Sequence, residues 1–389
     1  MVNIMNYLSE NSFSNKRVLL RCDFNVPVKD GIITDDSKIT RSLKTIKYLL
    51  DNDNMVILLS HFGRVKKEED KEKNSLYLVY EYLKKYVDLE FIKDPTDLSN
   101  INTSNSKCFL VENTRFTDLP EKRESANDLE LARMWSEYAD IFVLDAFGSA
   151  HRAHSSTAGI SKYLPTYYGF LLEEELKNLD CLVHNEEHPF IVIMGGAKVD
   201  DKIKIIESML SKCDKLILTG GILNTFLKVS GKNIGNSLVS GDEEVLENVR
   251  NVLDKYQEKI YFTDKFIINR NDEIKEVTIN EVTNEDIIYD NVVNVKDLLQ
   301  DVKIVFFNGT CGKYEEKEYS KGTSLLLNEL SNINGKVIIG GGDTVSAVTK
   351  LGFGNKFDYL SSGGGATLEY VAYGKLKSLE WIKENGVDN

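Results

Sequence analysis

Phe190-Ile-Val-Ile-Met-Gly-Gly-Ala-Lys-Val-Asp-Asp-Lys-Ile203 reads, in order, as a strand, a turn and the start of a helix. Ile191 to Met194 is an apolar run between Pro189 and Gly195, the pattern of a buried strand. Gly195 and Gly196 free the backbone for a tight turn and for close approach to a ligand. From Val199 the apolar spacing (Val199, Ile203, Ile206, Leu210) predicts a helix, with Lys198 and Lys202 on one face of its first turn. A helix N-terminus already attracts anions, so cations there oppose the dipole. Lysines at that place suit a bound polyphosphate; the bland reading is a glycine turn with two solvated lysines.

The same alternation extends outward in both directions. Before it, apolar runs at 17–22, 55–59, 108–111 and 141–144 alternate with helical spacing at 38–50, 75–86 and 126–138. Asp35-Asp36-Ser37 offers a cap to the first of these helices. After it, strands are expected at 215–219, 260–263, 303–307 and 336–339, several ending in glycine: Gly220-Gly221, Gly309 and Gly340-Gly-Gly342. Alternating strand and helix predicts parallel sheets covered by helices, with ligands at the carboxyl ends of the strands. The fold class is therefore α/β: two doubly wound, Rossmann-like parallel-sheet domains. The helical stretch 170–185 is the expected hinge between them.

The bulk numbers narrow the function. At 389 residues two domains are the prior. No apolar stretch reaches the ~20 residues of a membrane span, and Met-Val-Asn-Ile-Met-Asn-Tyr lacks a secretion-signal layout. Five scattered cysteines without CxxC spacing predict reduced thiols in cytoplasm and no zinc site. A net charge of −13 argues against nucleic acid as a partner, so an anionic ligand must meet a local basic cluster.

Such a cluster is on offer at the strand ends. Arg21, Arg64, Arg115 and Arg152, with His61 and His151, follow the strands of the first half, and Asp23 and Asn25 add groups for substrate hydroxyls. Arginine's planar fork suits carboxylate and phosphate. Singly, each is an ordinary surface cation, and Asp23 and Asn25 are ordinary turn residues before Pro27. In the second half, Gly340-Gly-Gly-Asp-Thr344 opens a helix with backbone N–H groups free for phosphate. Asp343 is either a helix cap or a carboxylate for Mg2+; Glu315 is either a ribose ligand or a surface acid. Walker and protein-kinase motifs are missing.

Taken together, Arg21-Cys-Asp-Phe-Asn-Val-Pro27, Leu59-Ser-His-Phe-Gly-Arg64, Leu110-Val-Glu-Asn-Thr-Arg-Phe116, Asp145-Ala-Phe-Gly-Ser-Ala-His-Arg-Ala-His154, Gly195-Gly-Ala-Lys-Val-Asp-Asp-Lys-Ile203, Gly340-Gly-Gly-Asp-Thr344 and Ser362-Gly-Gly-Gly-Ala-Thr367 closely resemble the phosphoglycerate kinase family, in order and spacing. The resemblance implies a phosphoglycerate-binding domain over 1–170, a nucleotide-binding domain over 171–370, and a segment 371–389 returning to the first. It implies 3-phosphoglycerate or 1,3-bisphosphoglycerate on Arg21, Asp23, Asn25, His61, Arg64, Arg115, His151 and Arg152. ATP or ADP falls to Gly195, Gly196, Ala197, Lys198, Lys202, Gly220, Asn308, Gly309, Glu315, Gly340, Gly341, Gly342, Asp343 and Thr344, with Mg2+ on Asp343. Lys38, Lys202 and Gly342 take the catalytic places, and hinge closure, a monomer and a cytoplasmic glycolytic role are expected. Lys38 stands where the family has its catalytic arginine; Thr310, Lys313 and Asp290-Asn-Val-Val-Asn294 also depart from the pattern. An active phosphoglycerate kinase slowed by Lys38 is the first expectation. A divergent paralogue that binds without much catalysis is the alternative.

Overall fold

The computed structural model describes residues 6–387. Chain contacts divide it into two compact units, one running to Lys177 and resuming at Lys375, the other Asn178–Gly374.

The first unit is built on β1 (Arg17–Cys22), β4 (Met55–Leu59), β5 (Glu90–Ile92), β6 (Cys108–Val111), β7 (Ile141–Asp145) and β8 (Thr166–Tyr168), with a small hairpin of β2 (Val28–Lys29) and β3 (Ile32–Ile33). The six strands pair in parallel in the order β5-β6-β4-β1-β7-β8. Strands covered on both faces must be apolar throughout, and Val18 to Leu20 and Val56 to Leu59 are wholly buried. Helix α1 (Ser37–Asp51) buries Ile39, Leu43, Ile46 and Leu49 on one stripe, at roughly 1.5–3 kcal/mol per fully buried side chain. Helices α2 (Asp70–Lys73), α3 (Tyr77–Leu83) and α4 (Leu129–Ser136) complete the layers. The expected cap of α1 is not made in the expected way: the Asp36 carboxylate accepts the Tyr82 hydroxyl, and Asp35 Oδ1 takes the Ser37 N–H (2.9 Å).

Helix α5 (Phe170–Val183) carries the chain out of this unit. The second unit has β9 (Phe190–Met194), β10 (Lys215–Leu218), β11 (Ile260–Tyr261), β15 (Ile304–Asn308), β16 (Lys336–Gly340) and β17 (Tyr359–Ser361), parallel in the order β11-β10-β9-β15-β16-β17. Helices α6 (Ile203–Leu210), α7 (Gly220–Val229), α8 (Glu243–Tyr256), α9 (Lys321–Leu330), α10 (Gly342–Lys350) and α11 (Gly365–Tyr373) accompany them; α12 (Lys377–Asn385) belongs to the first unit.

Simple alternation fails between β11 and β15. Here β12 (Lys265–Arg270), β13 (Glu273–Thr278) and β14 (Ile287–Val292) form an antiparallel sheet, β13-β12-β14. Its signal was the two-residue turn Asn271-Asp272, whose φ angles of 50° and 66° are those of a tight hairpin.

The turn after β9 is longer than the apolar spacing predicts. Helix α6 begins at Ile203 and not at Val199, with Lys202 at its N-cap. A turn closed by Lys202 N–H to Val199 O (2.8 Å) occupies the intervening residues. Lys198 and Lys202 therefore do not share a helical face, and Lys198 is exposed in the loop.

Candidate active site

Both parallel sheets place a cavity at the carboxyl ends of their strands, as their topology requires.

In the first unit β1, β4, β6 and β7 deliver the lining of a cavity of about 220 Å3: Arg21, Asp23, Asn25, Lys38, His61, Gly63, Arg64, Arg115, Gly148, Ser149, His151, Arg152 and His154. All eight residues expected to meet the small anion are among them, together with Lys38. His154 was quoted in a motif but not expected there. Lys38 Nζ pairs with Asp23 Oδ2 at 3.0 Å. Burial pushes the Asp23 carboxyl up, but the charges of Lys38 and Arg21 outweigh it and hold the group below the usual carboxylate range. Asn25 Oδ1 accepts the Gly63 N–H (2.9 Å), and Arg115 donates to the Gly63 carbonyl, so the ends of β1, β4 and β6 are tied together.

The histidines are neutral at neutral pH. Burial, then neighbouring arginines, depresses His154 to about 3, and burial also lowers His61 and His151. The His151 Nδ1 atom is buried without a hydrogen-bond partner. Five cationic side chains, Arg21, Lys38, Arg64, Arg115 and Arg152, thus face one small cavity against a single lining carboxylate. That arrangement suits a compact ligand carrying several negative charges. Arg41, a turn beyond Lys38, points elsewhere: it pairs with Glu175 (2.9 Å) and Glu174 (3.5 Å).

In the second unit the cavity is larger, about 500 Å3, within the range of small-molecule sites. It is lined by Gly196, Ala197, Lys202, Gly220, Asn308, Gly309, Glu315, Gly341, Gly342, Asp343 and Thr344 from the expected set. Gly195 and Gly340 are buried at the strand ends, and Lys198 is not in the lining. The close packing explains the glycines. A Cβ on Gly309 would stand 2.1 Å from the Gly195 carbonyl carbon, and Gly341 has φ +99°.

Lys202 Nζ donates to Gly195 O (2.8 Å) and Asn308 Oδ1 (2.8 Å), while Asn308 Nδ2 donates to Gly340 O (2.7 Å). Burial lowers this lysine to about 8, with Asp343 opposing. Thr344 Oγ1 accepts the Gly309 N–H (2.6 Å), which fixes the start of α10 against the end of β15. The first-turn N–H groups of α10 and the exposed Asp343 open on this cavity.

Several lining residues escaped sequence reasoning. Tyr289, Tyr314, Leu238 and Ile288 supply an aromatic and apolar wall, Lys313 Nζ sits 4.4 Å above the Tyr289 ring, and Asn291 accepts the Gly220 N–H. β14 brings Tyr289 and Asn291 in, and that strand was not expected. No group of three or more His, Cys, Asp or Glu able to hold a metal occurs among the described residues. Three carboxylates line this cavity, Asp290, Glu315 and Asp343; Asp343, exposed at the start of α10, suits Mg2+, which takes one or two carboxylates and keeps its waters.

The family model described as phosphoglycerate kinase matches residues 8–375. The phosphoglycerate kinase of Fusobacterium nucleatum is 40% identical over 393 residues, covering 96% of this chain and 98% of that protein. That of Macrococcus caseolyticus is 39% identical, covering 97% and 98%. Among solved structures, phosphoglycerate kinase from Coxiella burnetii has a TM-score of 0.83 at 33% identity, covering 98% of both chains. The Pyrococcus horikoshii enzyme has a TM-score of 0.85 at 26% identity, covering 98% of this chain and 99% of that one.

Proposed function

The chain belongs to the phosphoglycerate kinase family, and from that premise we propose that it transfers a phosphoryl group reversibly between 1,3-bisphosphoglycerate and ADP, giving 3-phosphoglycerate and ATP. The observation that carries this reading is the pairing of two unlike cavities. One is small and cationic, the other larger, glycine-lined and entered by a helix N-terminus.

The acceptor is a carboxylate, which places the reaction among phosphotransferases to carboxyl groups. In the first cavity Arg64, Arg115 and Arg152 hold the phosphate and carboxylate of the three-carbon acid, and Asp23 and Asn25 its hydroxyl. Lys38 has two N–H donors left after its bond to Asp23, and these are offered to the migrating phosphoryl group. In the second cavity the nucleotide phosphates meet Lys202 and the N–H groups of Gly341, Gly342 and Asp343, with the base against Tyr289, Tyr314 and Leu238. Glu315 takes the ribose. Asp343 would hold Mg2+, which when bound offsets phosphate charge. Catalysis by this chain is positioning and charge neutralisation, with no covalent enzyme intermediate.

A monomer acting in the cytoplasm completes the proposal. Five cysteines free of disulfides suit a reducing compartment, and no helix among the described residues is long and apolar enough to cross a membrane. A coupled assay with 1,3-bisphosphoglycerate and ADP tests the function: ATP formation is expected, and none would overturn it. Lys38, Thr310 and Lys313 support the second reading, a divergent paralogue. Calorimetric binding of 3-phosphoglycerate and nucleotide without turnover would favour it.

A further inference from the structure

A buried carboxylate lies beneath the cationic cavity, outside its lining. Glu124 is fully buried, as are Arg21 and Ser156. Its Oε2 accepts the Ser156 N–H (3.0 Å), and its Oε1 accepts the Ser156 hydroxyl and the Thr114 hydroxyl (3.2 Å). Ser156 Oγ in turn accepts Arg21 Nε–H at 2.8 Å. Arg21 also donates to the Cys22 carbonyl and, through Nη2, contacts His61 Nδ1 at 3.1 Å.

The chemistry of the groups fixes every direction in this chain. A guanidinium only donates and an ionised carboxylate only accepts. The Ser156 hydroxyl must therefore give its proton to Glu124 and its lone pair to Arg21. His61 Nδ1 must be the unprotonated nitrogen, which leaves Nε2–H as the ring's donor. The hydrogen bonds of Arg21 run to Ser156, Cys22 and His61. It acts as a strut more than as a ligand. Burial pushes the Glu124 carboxyl up, with Arg21 the largest opposing influence, and burial lowers Arg21 itself. Two buried ions of opposite sign thus support each other across one serine, and breaking such a set costs far more than a surface pair would.

We propose that Glu124 is a positioning residue of the anion cavity: through Ser156 it holds Arg21, and through Arg21 it holds the His61 ring with Nε2–H offered to the ligand. The proposal rests on reading that cavity as the phosphoglycerate site. Glu124→Gln keeps the size but removes the charge that faces Arg21 and sets an amide N–H2 against Ser156, so the hydroxyl bond must reverse or the bond from the Ser156 N–H must break. Ser156→Ala removes only the link.

The test uses the full-length enzyme. In either variant the KM for 3-phosphoglycerate is expected to rise about tenfold, the order expected for losing a hydrogen bond to a charged group, with kcat and the KM for ATP within about twofold. In nitrogen-15 spectra, His61 Nδ1 should lose the signature of an accepted hydrogen bond. The double variant should be no worse than Glu124→Gln alone, since both cut one chain. A merely structural role would lower stability without a selective KM change or a changed His61 spectrum. Unchanged KM for 3-phosphoglycerate, or an unchanged Nδ1 resonance, overturns the proposal. If Glu124→Gln does not fold, Ser156→Ala carries the same two readouts. If the unmodified enzyme shows no turnover, the functional reading fails, and the His61 spectrum alone decides the relay.

Discussion

Lys38 offers the cationic cavity a point charge where a guanidinium would offer a planar fork. Lysine keeps the attraction but cannot touch two oxygens of a moving phosphoryl group in one plane. A transition-state arginine is worth roughly 10³–10⁵ in rate in related chemistry, and retained charge recovers part of that. Lys38→Arg is expected to raise kcat by about tenfold or more with little change in KM, the pattern of an interaction made only in the transition state. Lys38→Ala should lower kcat further. Steady-state kinetics with equal kcat in all three proteins would remove the position from the mechanism. Arg41 is no ready substitute, because it is engaged with Glu175, whose side chain is fully buried. Arg41→Ala should leave kcat alone and cost about 1–3 kcal/mol in denaturant unfolding, as a buried carboxylate loses a partner.

Lys202 gives a prediction in pH. Its folded value of about 8 lies below the ordinary lysine value of 10.5, so between these two the folded, unliganded protein carries fewer protons here than the unfolded chain. Burial of the charged form costs stability below about pH 8, and that cost disappears as pH rises past it. Polyphosphate favours the charged form. Nucleotide binding near pH 9 should therefore take up a proton, visible as calorimetric enthalpies that vary with buffer, and affinity should fall as pH rises above 8. Lys202→Ala should abolish transfer, keep the fold and lose the proton uptake. Uptake that persists in the alanine variant would assign the titration to another group.

Among elements, α5 depends on a cap supplied by another part of the chain. Asp145, the last residue of β7, accepts the N–H groups of Leu171 (2.8 Å) and Leu172 (3.1 Å) at the helix's first turn. Two orphan donors are satisfied, and the strand that leads into the Phe147–His154 loop is tied to the helix that leaves the unit. Burial raises Asp145 to about 6. A carboxyl raised above its unfolded value contributes stability that is full below about 4 and lost as pH rises through 6. Asp145→Asn keeps an acceptor without the charge, so it should flatten the stability profile between pH 4 and 6. Asp145→Ala strands both N–H groups and should cost about 1–2 kcal/mol. Urea unfolding of both variants across that range reads the difference. An alanine variant as stable as the asparagine one would mean the cap contributes nothing.

The whole molecule crosses between its two units twice, and the second crossing serves the cationic cavity. Ser378, in α12, donates its hydroxyl to Arg152 O (2.7 Å), and its N–H reaches Ala150 O (2.9 Å). The segment from Lys375 therefore braces the loop that presents His151 and Arg152. A chain ending at Gly374 should bind ATP as before but bind 3-phosphoglycerate about tenfold or more weakly, since misplaced cations lose their charge-assisted bonds. Calorimetry with each ligand separates the two. Equal weakening of both would point to global destabilisation.

Much of this chain was legible in its sequence, because local physics carried the message. Apolar runs, helical spacing and glycines announced parallel α/β layers, and a parallel sheet puts loop residues at one edge. That is why Asp23, His61, Arg115 and Arg152, far apart in the chain, were readable as a set. Tertiary structure alone decided the rest. Lys202 lies at a helix N-cap because its ammonium reaches back to Gly195 and Asn308, a contact no periodicity encodes. Asn291 and Tyr289 enter the glycine-lined cavity on a strand that interrupts the alternation. Glu124, in a polar segment between Leu119 and Asp128, belongs to no motif or periodic pattern that would single it out. Its burial against Arg21 and Ser156 exists only because three distant segments converge, and burial is what gives a charge its energetic weight.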